Sequence, residues 1–148
     1  MIVQQLDLWG KKATVFKDSA IGPSCTSPIV VADYLMKKGI HLLEQEELWV
    51  FCLDIKNRIF SEMMIARGNG NSACVDASVV FREAVRKAAN AIVIIHNHPS
   101  GDPTPSPEDI EVANHLAQAG KLLGIEVLDC IILGNGRFVS LKERGKLI

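Results

Sequence analysis

Apolar positions follow two rhythms along this chain, and their succession predicts strands interleaved with helices. From residue 1 to about 25 the alternation is weak. Ala13 and Val15 stand against Thr14 and Phe16, enough for one edge strand in an N-terminal extension. Gly22-Pro23-Ser24 breaks that segment, and Ser27-Pro28 makes a helix start, with serine as N-cap and proline in the first turn. Ile29, Val30, Ala32, Leu35 and Met36 continue at near-helical spacing until Gly39 stops them.

Residues 48–53 form an almost unbroken apolar run, which predicts a strand buried on both faces. Asp54-Ile55-Lys56-Asn57 turns the chain, and residues 58–66 supply a hairpin partner. A helix is expected over 78–90, with Phe81, Ala84, Val85 and Ala88 on one face. Residues 91–95 are a short β-branched strand that runs directly into His96-Asn97-His98. The loop beyond holds four of the six prolines. Helix resumes from 107 to about 123, where Gly124 ends it, and residues 125–141 fold back as a hairpin around Gly134-Asn135-Gly136. This order predicts a layered α/β domain with a mixed sheet over residues 26–148.

The chemistry concentrates after the apolar strand at 91–95. Side chains two apart on an extended segment share a side, so His96 and His98 converge at a strand end, where open α/β sheets place their sites. Two imidazoles and a carboxylate make a three-ligand zinc site with one position left for water. Asp109, in the first turn of the following helix, supplies that carboxylate. Ser106-Pro107-Glu108-Asp109 is also a good helix N-terminus, and capping and catalysis are compatible on the same residues. Hydrolysis at such a centre needs an oxyanion donor, for which Ser106 is placed, and a base. Glu46 and Glu47 stand at the entrance of the buried 48–53 strand and point to opposite sides, so only one faces the metal. Periodicity leaves them even.

Composition changes this picture little. At 148 residues, with 48% apolar and 22% charged positions, the chain has the makings of one globular domain. The four cysteines form no CxxC pair, which gives neither a disulfide framework nor a zinc ribbon, and buried free thiols are expected. No apolar run approaches the ~20 residues that span a bilayer, and the first residues lack the features of a signal peptide, so a cytoplasmic location is expected. A net charge of −1 gives no global attraction to nucleic acid.

His-x-His, seven residues beginning with proline, then Ser-x-x-Asp resembles the JAMM motif of MPN/JAB-domain metalloproteins. The longer stretch HNHPSGDPTPSPEDI, with Leu-Asp-x-Ile-Ile and Gly-x-Phe-Val-Ser-Leu downstream, resembles the RadC-like branch over roughly residues 40 to 145. The resemblance implies a three-layer α/β/α domain with a mixed sheet, similar to cytidine deaminases. It also implies one zinc ion per chain held by His96, His98 and Asp109, with Ser106 assisting. By the interval to Leu53-Asp54, it assigns the general base to Glu46 rather than Glu47. Where such relatives commonly read Leu-Asp-His, this chain has Leu128-Asp129-Cys130, expected as a packed thiol. Residues 1–45 are too short and too weakly basic for the DNA-associated helix-hairpin-helix region of longer members.

The expected function is therefore zinc-dependent cleavage of a peptide or isopeptide bond in a peptide or protein substrate. A DNA-associated accessory role in repair, recombination or a mobile element is the alternative, and it predicts salt-sensitive DNA binding. A nucleobase deaminase would need His-x-Glu and Pro-Cys-x-x-Cys, which are absent from the sequence. A scaffold with a vestigial site is the remaining reading. Free sheet edges would permit an oligomer.

Overall fold

Local signals place most elements of the computed structural model, which describes residues 2–6, 12–16, 22–68 and 75–148. The strands are β1 (Ile2–Leu6), β2 (Lys12–Phe16), β3 (Glu47–Leu53), β4 (Ile59–Arg67), β5 (Ala91–Asn97), β6 (Glu126–Leu133) and β7 (Phe138–Ser140). The helices are α1 (Pro28–Lys37), α2 (Ala77–Arg86) and α3 (Pro107–Leu123). A 3₁₀ turn, Ile40–Leu42, follows α1 after Gly39 takes the left-handed conformation at φ 76°.

The strands form one seven-stranded sheet in the order β1-β2-β4-β3-β5-β6-β7. Among the described strands only β5 and β6 pair in parallel, because α3 carries the chain across between them; the other neighbours are antiparallel. Every residue of β3 and β5 is buried, as their continuous apolar runs require. Alternate side chains divide the core in two. Val31, Ala32 and Leu35 of α1 cover Phe51, Leu53, Val93, Ile95 and Ile131 on one face. Phe81 and Ala84 of α2, with Ala113, Leu116 and Ala117 of α3, cover Val50, Ile92, Ile94 and Ile132 on the other. The result is the mixed-sheet α/β/α sandwich expected from the sequence, and it leaves the ends of β3 and β5 open beside the start of α3.

Two elements differ from the sequence expectation. The α2 helix ends at Arg86 rather than Asn90, because Ala88 turns into the left-handed region at φ 54° and Ala89 N–H donates to Ala84 C=O at 2.9 Å. That closure normally uses glycine, and an alanine at this position carries no stop signal. The N-terminal segment supplies two paired strands instead of one, and β2 docks on β4 through Val15–Met63 and Phe16–Glu62. Among the described residues, no helix is long and apolar enough to cross a membrane.

Candidate metal centre

β5 delivers His96 and His98 to the end of the sheet. Their rings lie edge to face with centroids 5.1 Å apart, His96 buried and His98 partly so. The chain then folds through the proline-rich loop, whose position is fixed by close packing. Gly101 N–H donates to His98 C=O at 2.9 Å, and Asn135 N–H to Gly101 C=O at 2.9 Å. The loop lies against Gly134, where a Cβ would sit 2.6 Å from Pro103 Cδ and 2.9 Å from Pro103 N. This packing presents Asp102 C=O at 2.8 Å from His98 Nδ1. A carbonyl can only accept, so Nδ1 carries hydrogen and Nε2 is turned to the centre of the site.

α3 supplies the next groups through a full capping box. Asp109 N–H donates to Ser106 Oγ at 3.1 Å, and Ser106 N–H donates to Asp109 Oδ2 at 2.8 Å. Such a cap is worth about 1 kcal/mol, and here it also aims a carboxylate at the histidines. Asp109 Oδ1 lies 2.9 Å from His96 Nδ1, and Oδ2 lies 3.1 Å from His98 Nε2. Burial works against charge on Asp109. The hydrogen bonds from His96, His98 and the Ser106 amide outweigh it and hold the carboxyl far below the usual range. The bond to Asp109 raises His98, against burial and with help from Asp102 C=O.

Glu46, just before β3, closes the group. Its Oε1 is 3.2 Å from His96 Nε2 and 3.7 Å from His98 Nε2. Glu47 points elsewhere: its carboxylate accepts from Trp49 Nε1 at 2.8 Å and pairs with Arg67 Nε at 2.7 Å. The even choice left by periodicity is thus separated in space, with Glu46 beside the histidines and Glu47 on the other side of the strand.

Glu46, His96 and His98 each offer a ligand atom within 4.8 Å of the other two, and they form the candidate metal-holding group among the described residues. Asp109, expected as a ligand, is not counted in that triad but borders the same centre, at 2.9 Å from His96 Nδ1 and 3.1 Å from His98 Nε2. The capping box accounts for the difference, since Oδ2 is shared between the Ser106 amide and His98. Two carboxylates facing two imidazoles in a half-buried site need positive charge, and imidazole with carboxylate oxygen is a donor set that suits a divalent ion such as zinc. The residues therefore fit a metal ion. Beside them opens a cleft of about 500 Å³, lined by Glu44, Glu46, His98, Ser106, Glu108 and Asp109 among others.

Cys130 lies in β6, 2% exposed in the core beneath α2 and α3, and burial pushes its thiol strongly up. It is a packed thiol. Sequence reasoning passed over Asn97, between the two histidines. It is 1% exposed, its Oδ1 accepts from Glu47 N–H at 2.7 Å, and its Nδ2 donates to Gln45 C=O at 3.0 Å. The available signal was an amide in an otherwise apolar buried strand, a position that is costly unless every polar atom is bonded.

Comparison with known proteins gives one family match and a consistent set of relatives. The model of the RadC-like JAB domain matches residues 25–146. A UPF0758 protein of Chloroflexus aurantiacus is 52% identical over 119 residues, covering 80% of this chain and 52% of its own length. One of Roseiflexus castenholzii is 49% identical over 114 residues, covering 77% and 49%. One of Desulfitobacterium hafniense is 43% identical over 136 residues, covering 92% and 60%. The chain spans about half the length of the curated relatives it matches.

Proposed function

We propose that this chain, which belongs to the RadC-like JAB domain family, is a zinc-dependent hydrolase that cleaves a peptide or isopeptide bond with water. The observation that carries the reading is the convergence of Glu46, His96, His98 and Asp109 at the edge of a cleft that Ser106 also lines. His96, His98 and Asp109 would hold the ion. A zinc ion bound there would polarise a carbonyl and lower the pKa of water to about 7.

The chain's own residues supply the remainder. Glu46 carries the proton taken from water to the leaving amine, a role open to a partly exposed carboxylate beside the histidines. Ser106 Oγ accepts the Asp109 amide as a cap, which leaves its hydroxyl proton free to donate to the developing oxyanion. Asp102 C=O fixes the tautomer and ring angle of His98. Glu44, Glu46, Glu108 and Asp109 line the cleft with no lysine or arginine among its described residues, which favours a peptide over a phosphate backbone.

An unbiased peptide library incubated with the zinc-loaded chain tests the proposal. The expected result is cleavage that stops on chelation and in Glu46→Gln, while that variant melts like wild type. Cleavage that persists without metal would overturn it.

A further inference from the structure

We propose that Asn97 is a positioning residue that sets Glu46 opposite the histidines, by substituting its side chain for the backbone pairing that β3 and β5 give up at the site. The proposal rests on the assignment of Glu46 to the metal centre. Between these strands the antiparallel register runs from Leu53–Ala91 to Leu48–His96 and stops there. One step further, Asn97 keeps its β6 neighbour, opposite Leu133, but has no register partner on β3, while β3 keeps β4, with Glu47 opposite Arg67. The parting of the strands gives room for the Glu46 carboxylate, but it leaves the Glu47 N–H and the Gln45 C=O facing β5 without a backbone partner there.

Asn97 meets both. Its amide accepts from Glu47 N–H at 2.7 Å and donates to Gln45 C=O at 3.0 Å, so it grips the chain on either side of Glu46. A third bond completes the clamp: Gly68 N–H donates to Glu46 C=O at 3.0 Å. Glu46 itself precedes β3 and depends on these contacts for its backbone position. His96 at the end of β5 and His98 just beyond it are two apart and carry the imidazoles, so the residue between them faces away from the centre and reaches the base only through the neighbouring chain. An amide suits this position because it holds an N–H donor group and a carbonyl acceptor side by side on a short side chain. A hydroxyl cannot span both groups, and a leucine would fill the volume while leaving the buried Glu47 N–H orphaned.

The test is a double-mutant cycle between Asn97→Ala and Glu46→Gln, read by zinc affinity in competition with a chromophoric chelator, with zinc alone as probe. Thermal melts check the fold, and amide hydrogen exchange reports the Glu47 N–H. The expected loss in N97A is about tenfold, the scale of groups that support a metal ligand without being one, because the Glu46 carboxylate it positions lies 3.2 Å from His96 Nε2. The double variant should bind no more weakly than E46Q alone, since Asn97 acts through Glu46. The Glu47 amide should exchange faster in N97A, with the amides of residues 92–95 unchanged. Wild-type affinity in N97A, or losses that multiply in the double variant, would overturn the proposal. If N97A does not fold, Asn97→Ser carries the same cycle. If neither folds, Asn97 is a residue of the fold alone and the proposal fails. A wild-type chain that binds no zinc would instead overturn the metal reading on which the proposal rests.

Discussion

Gly134→Ala is the substitution whose effect the structure specifies most sharply. The added methyl would overlap Gly101 O and lie 2.6 Å from Pro103 Cδ, with backbone rather than a flexible side chain in its way. The loop must move. Overpacking of this kind costs about 1–3 kcal/mol, and loss of the Asn135–Gly101 bond adds about 1 kcal/mol. A loss of about 2–4 kcal/mol is expected in urea unfolding. The same movement withdraws Asp102 C=O from His98 Nδ1, so zinc affinity should fall by about 10–100-fold. Gly136→Ala is the control. It sits at φ 67° with open space around it, so it should lose about 1–2 kcal/mol to backbone strain while binding zinc like wild type. Wild-type stability and affinity in G134A, or equal zinc losses in the two variants, would refute the reasoning.

Three further outcomes follow from particular groups. Glu62 is 7% exposed, accepts from Tyr34 Oη at 2.8 Å and from Lys38 Nζ at 2.9 Å, and so ties α1 to β4; Tyr34→Phe should cost about 1–3 kcal/mol in urea unfolding. Burial and the Glu62 bond raise Tyr34. Lys38 is raised as well, its bonds to Glu62 and Tyr34 outweighing burial. Both groups therefore hold their protons more tightly when folded. Their stabilisation is complete below about pH 10 and is lost as pH rises through the folded values, and Glu62→Gln should flatten that decline in pH-dependent melts. Burial pushes the thiols of Cys25 and Cys52 up to about 11 and Cys130 further still. At pH 8 iodoacetamide should leave these three unmodified in the native chain and label them in denaturant, as read by peptide mass mapping.

The sequence showed the His-x-His loop and α3 most clearly because their determinants are local. An apolar run carries the histidines, and serine, proline and aspartate mark the helix start at Pro107. Alternation separated Glu46 from Glu47 without saying which faced the histidines. That depends on Arg67 and Trp49 engaging Glu47, and Arg67 is 20 residues away. Asn97 went unnoticed for a similar reason, since its partners Gln45 and Glu47 lie 52 and 50 residues off. The edge strand expected around Ala13–Phe16 is β2, and the strand that was missed is β1, which is held by its pairing with β2. The early end of α2 was missed because an alanine does there what glycine usually does. Asp109 shows the limit of motif reading: its identity and place were legible, but its double duty in the cap and against both imidazoles needed coordinates.

The most direct test of the central claim is the zinc content of the purified chain at equilibrium, measured for wild type beside His96→Ala and Asp109→Ala. One zinc per wild-type chain, lost in both folded variants, is the expected result. A wild-type chain that retains no zinc, or folded variants that retain it undiminished, would contradict a metal centre built from these residues.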